Sequence, residues 1–186
     1  MIPDNPHNNQ GSLRIMQSTL IGLPSPHALR SNKFPGVRIG SEPVIGDHCI
    51  IFANVFIGDR FRCGDHVLIR DNTAIGDEVT IGTRSFVDTG VVMADHVTIG
   101  DGVRIPPSTR IGRGVTIGSH VRLLSGPFDL SPVLRNSRCI TLEDGCTIGN
   151  DAVIGPGVSV GAGARVEDGV TVTGDVPPDL QRFQTR

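Results

Sequence analysis

The chain has 186 residues, with 24 glycines, seven phenylalanines, no tryptophan or tyrosine, and a formal net charge of −2. A charge so close to zero provides no basic surface for nucleic acid, and the sequence contains no run of eighteen apolar residues that would span a membrane. With so few large aromatic residues, the composition predicts a narrow core filled by aliphatic side chains.

Residues 1–36 are polar, rich in Pro, Asn and Ser, and carry no repeat. This composition predicts a poorly ordered N-terminal extension. The opening MIPDNPHNNQ lacks the basic and then apolar segments of a signal peptide, so a cytoplasmic location is expected.

A six-residue period begins at Ile39 and continues to Leu123. One apolar column comprises Ile39, Ile45, Ile51, Ile57, Cys63, Ile69, Ile75, Ile81, Val87, Met93, Ile99, Ile105, Ile111, Ile117 and Leu123. A second column lies two residues before it: Val37, Pro43, Cys49, Val55, Phe61, Val67, Thr73, Val79, Ser85, Val91, Val97, Val103, Thr109, Val115 and Val121. Glycine follows the first column at nine positions: Gly40, Gly46, Gly58, Gly64, Gly76, Gly82, Gly100, Gly112 and Gly118.

Apolar residues at spacing two indicate a short strand with one buried face, and a glycine after it permits a tight turn. A six-residue period is incompatible with an α-helix, whose faces recur every 3.6 residues. Because one such unit cannot bury its apolar face alone, the units must stack in coils. The sequence therefore predicts an all-β fold, a parallel β-helix with three strands per coil.

One edge of this predicted prism differs from the other two. Its turns are 52–54, 70–72, 88–90, 106–108 and 124–126, and none of them begins with Gly. On the other two edges Gly leads nine of ten turns, with Ala94 as the exception. Since loops on a rigid scaffold often carry function, this edge is a candidate site, although a wider turn serving only shape explains the same pattern.

The histidines His48, His66, His96 and His120 occur in similar turn phrases, GDHC, GDHV, ADHV and GSHV. An ordinary polar turn explains them, whereas the sharper hypothesis makes His66 or His48 a general base or a metal ligand. Three of the four cysteines, Cys49, Cys63 and Cys146, fall in the inward columns and are expected to pack as small apolar residues.

The register breaks after Leu123 and resumes at Leu142, thirteen residues later than one period requires. Residues 124–141 are therefore predicted to be mostly an excursion loop. The repeat then continues through Ile148, Ile154, Val160, Val166 and Val172 to residue 178, which gives about seven coils over residues 37–178. Residues 179–186 form a short C-terminal tail that we expect to cap the open end of the helix.

The stretches FRCGDHVLIRDNTAIGDEVTIGTRSFVD at 61–88 and LEDGCTIGNDAVIGPGVSVGAGARVEDGVTVTGDVPP at 142–178 resemble the hexapeptide-repeat acyltransferases. The resemblance covers residues 37–178, is closest to sugar-modifying members of cell-surface polysaccharide pathways, and implies a left-handed β-helix. It further implies a homotrimer with sites between subunits and a donor, usually acetyl-CoA, along the C-terminal coils. Apolar residues outside both columns, such as Leu68, Val92 and Leu124, agree with self-association.

The resemblance implies transfer of an acyl group to an amine or hydroxyl of a sugar or nucleotide sugar. His66 is the first candidate for the catalytic base and Asp88 the second. The candidate acceptor-binding residues are Arg70, Asp71, Asn72 and Ser125, and the candidate donor-binding residues are Gly161, Ala162 and Gly163.

Two alternatives remain open. A non-catalytic trimeric scaffold or binding module is suggested by Ser125, which is the only polar residue before Asp129 in the loop, and by Glu167 and Asp168, whose charges would repel the phosphates of CoA. A γ-class carbonic-anhydrase-like protein is less well supported, because Ile69-Arg70-Asp71 lacks the Gly of the related motif and paired histidines five residues apart are absent. No metal ligand set is predicted.

Overall fold

The computed structural model describes residues 14–15, 18–24, 36–126 and 139–180. Over these ranges the chain forms short strands that pair in parallel with strands one coil away, so that Ile57 pairs with Ile75 and Ile75 with Met93. Successive strands alternate among three sheets, which we name A, B and C. The architecture is the left-handed parallel β-helix of about seven coils that the repeat and the resemblance predict.

The strand bounds follow the six-residue period. Sheet A contains β1 (Arg14–Ile15), β4 (Val44–Ile45), β7 (Arg62–Cys63), β10 (Thr80–Ile81), β13 (Thr98–Ile99), β16 (Thr116–Ile117), β19 (Thr147–Ile148) and β22 (Arg165–Val166). Sheet B contains β2 (Leu20–Leu23), β5 (Ile50–Phe52), β8 (Leu68–Ile69), β11 (Phe86–Val87), β14 (Arg104–Ile105), β17 (Arg122–Leu123), β20 (Val153–Ile154) and β23 (Thr171–Val172). Sheet C contains β3 (Arg38–Ile39), β6 (Phe56–Ile57), β9 (Ala74–Ile75), β12 (Val92–Met93), β15 (Arg110–Ile111), β18 (Thr141–Leu142) and β21 (Ser159–Val160).

Both predicted apolar columns line the interior of the prism. From β4 onward the last residue of almost every strand is buried, while the residue before it faces outward. The three polar residues of the second column, Thr73, Ser85 and Thr109, are also buried, and each hydroxyl donates a hydrogen bond to a turn carbonyl. The inward cysteines Cys49, Cys63 and Cys146 are buried free thiols, whereas Cys139 is exposed.

Two strands lie before residue 37, where the sequence analysis expects a poorly ordered extension. β1 pairs with β4, and β2 pairs with β5, so both continue the solenoid by part of a coil. The signal for them is weak but present, because Ile15 and Ile21 stand six residues apart. The distance from Ile21 to Ile39 is twelve residues longer than one six-residue period. This insertion hides the continuity between the two early strands and the main repeat.

The second interruption lies after β17. β15 pairs with β18 with Arg110 opposite Thr141, a separation of 31 residues instead of 18, which confirms the thirteen-residue insertion. β17 ends at Leu123 and β18 begins at Thr141; residues 127–138 of the predicted excursion loop, and residues 181–186 of the tail, lie outside the described residues. Both insertions connect a strand of sheet B to the following strand of sheet C. No helix in the described ranges is long and apolar enough to cross a membrane.

Candidate functional site

Three corners join the sheets, and we name them by the sheets that they connect. The A–B corner contains turns such as 46–48 and 64–66, the C–A corner turns such as 58–60 and 76–78, and the B–C corner is the unusual edge that begins at 52–54. Both insertions fall in the sequence between a strand of sheet B and the next strand of sheet C, and this second feature also distinguishes the B–C corner from the other two corners.

The Gly-led turns of the A–B and C–A corners share one construction. The first residue is Gly because a Cβ there would meet the turn of the next coil, as at Gly76, where it would lie 2.8 Å from the carbonyl carbon of Ala94. The second residue is commonly Asp, whose carboxylate accepts the backbone N–H of the turn one coil earlier, as in Asp59 N to Asp77 Oδ1 at 2.8 Å. The third residue has positive φ in most of these turns.

His66 occupies this third position at the A–B corner, with φ 58°, and its side chain is exposed. Its ring stacks on that of His48, with the ring centroids 5.0 Å apart. His96, by contrast, lies at the C–A corner, where its Nδ1 is 3.2 Å from Glu78 Oε2. The GDH phrase therefore has a structural explanation in turn geometry, and the stack of His48 and His66 is a surface feature available to a ligand or a neighbouring subunit.

The B–C corner gathers four of the predicted site residues. Arg70 Nη1 lies 3.3 Å from Asp88 Oδ1, and Arg70 Nε lies 3.9 Å from Asp71 Oδ1. Asn72 donates to Asp71 Oδ2 at 2.8 Å and accepts a hydrogen bond from Asn54 at 2.7 Å. Two carboxylates thus share one guanidinium, and the cluster presents acceptor oxygens as well as a cation.

Asp88 is held in place more firmly than its neighbours. It is 9% exposed, and its Oδ1 accepts the backbone N–H of Thr89 at 2.8 Å in addition to the Arg70 contact. The Thr89 hydroxyl in turn donates to the Asp71 carbonyl at 2.8 Å, which ties the two adjacent coils together. Arg70 is therefore not a free cation awaiting an anionic ligand, because Asp88 already neutralises it.

The remaining predicted residues lie outside this cluster. Ser125 is exposed at the B–C corner, three coils from Arg70 along the same edge. His66 belongs to a different corner, so within one subunit the structure does not bring it to the Arg70–Asp88 cluster. Gly161, Ala162 and Gly163 form a C–A turn near the C-terminal end.

An open groove of about 460 Å³ lies over sheet C and its C–A turns. Its lining includes the exposed side chain of Val92, the strand positions of the inward-facing Ile111 and Leu142, the cation Arg110, the acids Glu143 and Asp144, and Ala162 of the predicted donor-binding turn. Glu143 Oε2 accepts the backbone N–H of Ala162 at 3.0 Å, which occupies one of the amides of that turn. Sequence reasoning missed Arg110 and Glu143, because each is one outward residue in an otherwise regular repeat.

The two acids that weighed against a CoA site are located away from this turn. Asp168 lies at the A–B corner and accepts the backbone N–H of Asn150 at 2.8 Å, the same role that Asp plays in other turns. Its carboxylate therefore serves coil stacking. In the described part of the chain, no three residues among His, Cys, Asp and Glu cluster closely enough to hold a metal ion.

Comparisons with known proteins agree with this architecture. The family model of the bacterial transferase hexapeptide, described as six repeats, matches residues 90–125 and 140–174, and that of the hexapeptide repeat of succinyl-transferase matches residues 72–107. A comparison with curated protein sequences gave no match.

Two solved structures share the fold. The UDP-N-acetylglucosamine acyltransferase of Francisella novicida is 21% identical, with a TM-score of 0.61 over 89% of this chain, and the UDP-N-acetylglucosamine O-acyltransferase of Moraxella catarrhalis is 18% identical, with a TM-score of 0.64 over 86%. This chain covers 62% of the length of each of them. At these identities the likeness establishes the fold alone.

Proposed function

We propose, from the premise that the chain belongs to the bacterial transferase hexapeptide-repeat family, that it transfers an acyl group from a CoA thioester to a sugar or nucleotide sugar. Acetyl-CoA is the proposed donor, and a hydroxyl or an amine is the proposed acceptor group. The observation that carries the proposal is the groove over sheet C, which runs from the exposed side chain of Val92 past the guanidinium of Arg110 to the turn at Ala162, with Glu143 and Asp144 also in its lining. A concave surface with a few polar groups suits an extended ligand segment such as the pantetheine arm of CoA.

The B–C cluster is the proposed acceptor site. Carboxylate oxygens of Asp71 and Asp88 accept hydrogen bonds from sugar hydroxyls, and the amide of Asn72 offers both a donor and an acceptor. Arg70 holds Asp88 in position, as their 3.3 Å contact indicates. Ser125, on the same edge, contacts the acceptor closer to the C-terminal coils.

The proposed reaction is direct attack of the acceptor oxygen or nitrogen on the thioester carbonyl. A base removes the acceptor proton, backbone N–H groups stabilise the oxyanion, and CoA leaves as the thiol after taking up a proton. His66 is the first candidate for the base and Asp88 the second. Because His66 and the cluster occupy different corners of one subunit, catalysis by His66 requires a site shared between subunits of a homotrimer.

A cytoplasmic location and a role in polysaccharide pathways, which the sequence resemblance implies, belong to the same proposal. The competing proposal is a trimeric scaffold without activity. The position of Asp168 weakens one argument for that alternative, since its carboxylate accepts the backbone N–H of Asn150 at the A–B corner.

The test is thiol release from acetyl-CoA in the presence of a panel of amino sugars, neutral sugars and nucleotide sugars. We expect at least one acceptor to be acylated, and we expect His66→Ala to lower kcat by about 10²–10⁴-fold if it is the base. Asp88→Asn is the parallel variant for the second candidate. His120→Ala, on the same A–B edge three coils away, is the matched control and should retain activity.

Turnover that survives both His66→Ala and Asp88→Asn would remove both candidate bases while leaving the transferase assignment intact. Failure of the parent to bind acetyl-CoA at millimolar concentration in isothermal titration, together with no turnover, would favour the scaffold instead.

A further inference from the structure

Sheet B carries two arginines side by side on its outer surface. β14 and β17 pair in parallel with Arg104 directly opposite Arg122, and both side chains are exposed. Neighbouring strands of a sheet are separated by ~4.8 Å, so the two side chains leave the backbone at that spacing. On the other side of Arg104, its guanidinium lies over the ring of Phe86, 4.9 Å from the centroid.

Two arginines in the described ranges are neutralised by a carboxylate one coil away. Arg60 pairs with Glu78, and Arg70 pairs with Asp88, each at a separation of 18 residues. Arg104 and Arg122 are also 18 residues apart, but the coil neighbour is a second arginine. Within the described ranges, no carboxylate lies within 4.0 Å of either guanidinium.

Like charges directly opposite on neighbouring strands destabilise a sheet. The Phe86 ring compensates part of this repulsion at Arg104, because a guanidinium over an aromatic face gains cation–π energy. Arg122 has no such partner among the described residues. A dianionic ligand bridging the two guanidiniums would reverse the sign of the interaction, since planar guanidinium groups bind phosphate oxygens in a two-pronged geometry.

We propose that Arg104 and Arg122 form a binding site for the diphosphate group of a reactant. The inference rests on the proposed function, in which a nucleotide-sugar acceptor binds at the B–C corner and carries a diphosphate; CoA also carries one and is the second source that the test separates. The location suits such a role, because β14 and β17 lead directly into the B–C turns 106–108 and 124–126, the second of which contains Ser125. A diphosphate held on sheet B therefore positions the rest of its molecule at the B–C corner.

The test measures binding of inorganic diphosphate to the full chain by isothermal titration, at two salt concentrations. Arg104→Gln and Arg122→Gln should each weaken binding at least tenfold, and the loss should be larger at low salt because the interaction is ionic. Arg62→Gln is the matched control: Arg62 is exposed on β7 of sheet A, with a threonine as its next coil neighbour, and should leave the affinity unchanged.

The free protein gives an independent readout of the same pair. Without ligand, Arg122→Gln should raise the melting temperature because it removes the like-charge repulsion, and diphosphate should raise the melting temperature of the parent but not of the variant. If Arg122→Gln does not fold, Arg122→Lys replaces it, since a point charge loses the two-pronged geometry while keeping the positive charge.

Two further arms distinguish the sources of the diphosphate. The binding of CoA is compared with that of pantetheine, and the binding of UDP-N-acetylglucosamine with that of N-acetylglucosamine. The reactant whose diphosphate occupies the site should bind more weakly to both arginine variants than to the parent. Its phosphate-free counterpart should bind all three proteins equally. Diphosphate binding that is equal in the parent and both variants overturns the site, even if acyl transfer is observed. A fall in oligomer mass on Arg122→Gln, without a change in diphosphate affinity, overturns it too and assigns the pair to a contact between subunits.

Failure of the proposed function has a different signature. In that case diphosphate still binds through the two arginines, while no thiol is released from acetyl-CoA with any acceptor of the panel.

Discussion

At the scale of single residues, carboxylates in the turns join one coil to the next. Asp59 Oδ1 accepts the backbone N–H of Ser41, and this hydrogen bond is the largest cause of the lowered pKa of Asp59. Asn150 Oδ1 accepts the backbone N–H of Ser119 at 2.9 Å in the same way, so a neutral amide oxygen can take the place of the carboxylate. The turn phrase Gly-Asp thus stabilises the stacking of coils. Its glycine allows the turns of neighbouring coils to approach closely, and its carboxylate accepts the backbone N–H of the turn one coil earlier.

The lowered pKa of Asp59 predicts a pH dependence of stability. A carboxyl whose pKa is lower in the folded than in the unfolded chain contributes stability above its unfolded value, ~3.9, and loses it as the pH falls through the folded value. Asp59→Asn should therefore melt below the parent at neutral pH, and the gap should close as the pH is lowered toward 3. Thermal melts between pH 7 and pH 3 measure this gap.

The reciprocal variant is the control for this prediction. Asn150→Asp places a carboxylate in the equivalent role and should make the melting temperature more sensitive to acid. A gap between the parent and Asp59→Asn that stays constant over the whole pH range would contradict the capping explanation.

At the scale of the element, each strand from β4 onward is two or three residues long and contributes essentially one inward side chain. Such a strand has no independent stability, so its position depends on the residues 18 before and after it. Ile75 is 4% exposed and lies between Ile57 and Met93 in sheet C. The interior column is continuous, and a defect in one strand is transmitted directly to its two neighbours.

Ile75→Asp should prevent folding or lower the melting temperature severely. The change buries an unpaired carboxylate in an aliphatic column, which costs several kcal/mol, a large part of the ~5–15 kcal/mol that stabilises a typical domain. Thr83→Asp is the control, because Thr83 occupies the turn position where Asp47, Asp65 and Asp101 stand in the same corner; it should stay within about 0.5 kcal/mol of the parent. Equal melts for the two variants would show that Ile75 does not face the interior.

At the scale of the whole molecule, the prism leaves apolar side chains on its outer faces. Phe56 and Val92 are each 43% exposed on sheet C, and Ala74 lies on the strand between them. Sheet B begins with Leu20, which is 51% exposed. A narrow solenoid has much surface for its core, so self-association is an economical way to cover these faces, and closed cyclic symmetry covers them without fibre growth.

We expect the chain to form a homotrimer. Light scattering should give three times 19.7 kDa, about 59 kDa, at micromolar concentration. Val92→Asp should lower this mass by placing a charge on the apolar face of sheet C, whereas Thr98→Asp, an exposed outward change on sheet A, should leave it unaltered. A parent that elutes and scatters as a monomer would contradict the prediction, and with it the subunit-shared site that His66 requires.

The sequence by itself determined the β-helix, since the six-residue period assigns every inward residue and each coil repeats the same local geometry. The sequence also located the insertion after Leu123, because an interruption of the six-residue period can be recognised from the residue types alone. The two early strands were missed for two reasons. Ile15 and Ile21 mark only two repeats, and an insertion of twelve residues separates them from the repeat that begins at Ile39.

Only the tertiary structure decided which outward residues meet. The 18-residue coil brings Arg70 to Asp88 and separates both from His66, which lies four residues before Arg70 in the sequence but on another corner. The same coil length places Arg104 beside Arg122 and brings the Asp168 carboxylate to the backbone N–H of Asn150. The physical reason is that the period fixes whether a residue points in or out, whereas the partners of an outward side chain depend on the coil length and on where insertions interrupt it.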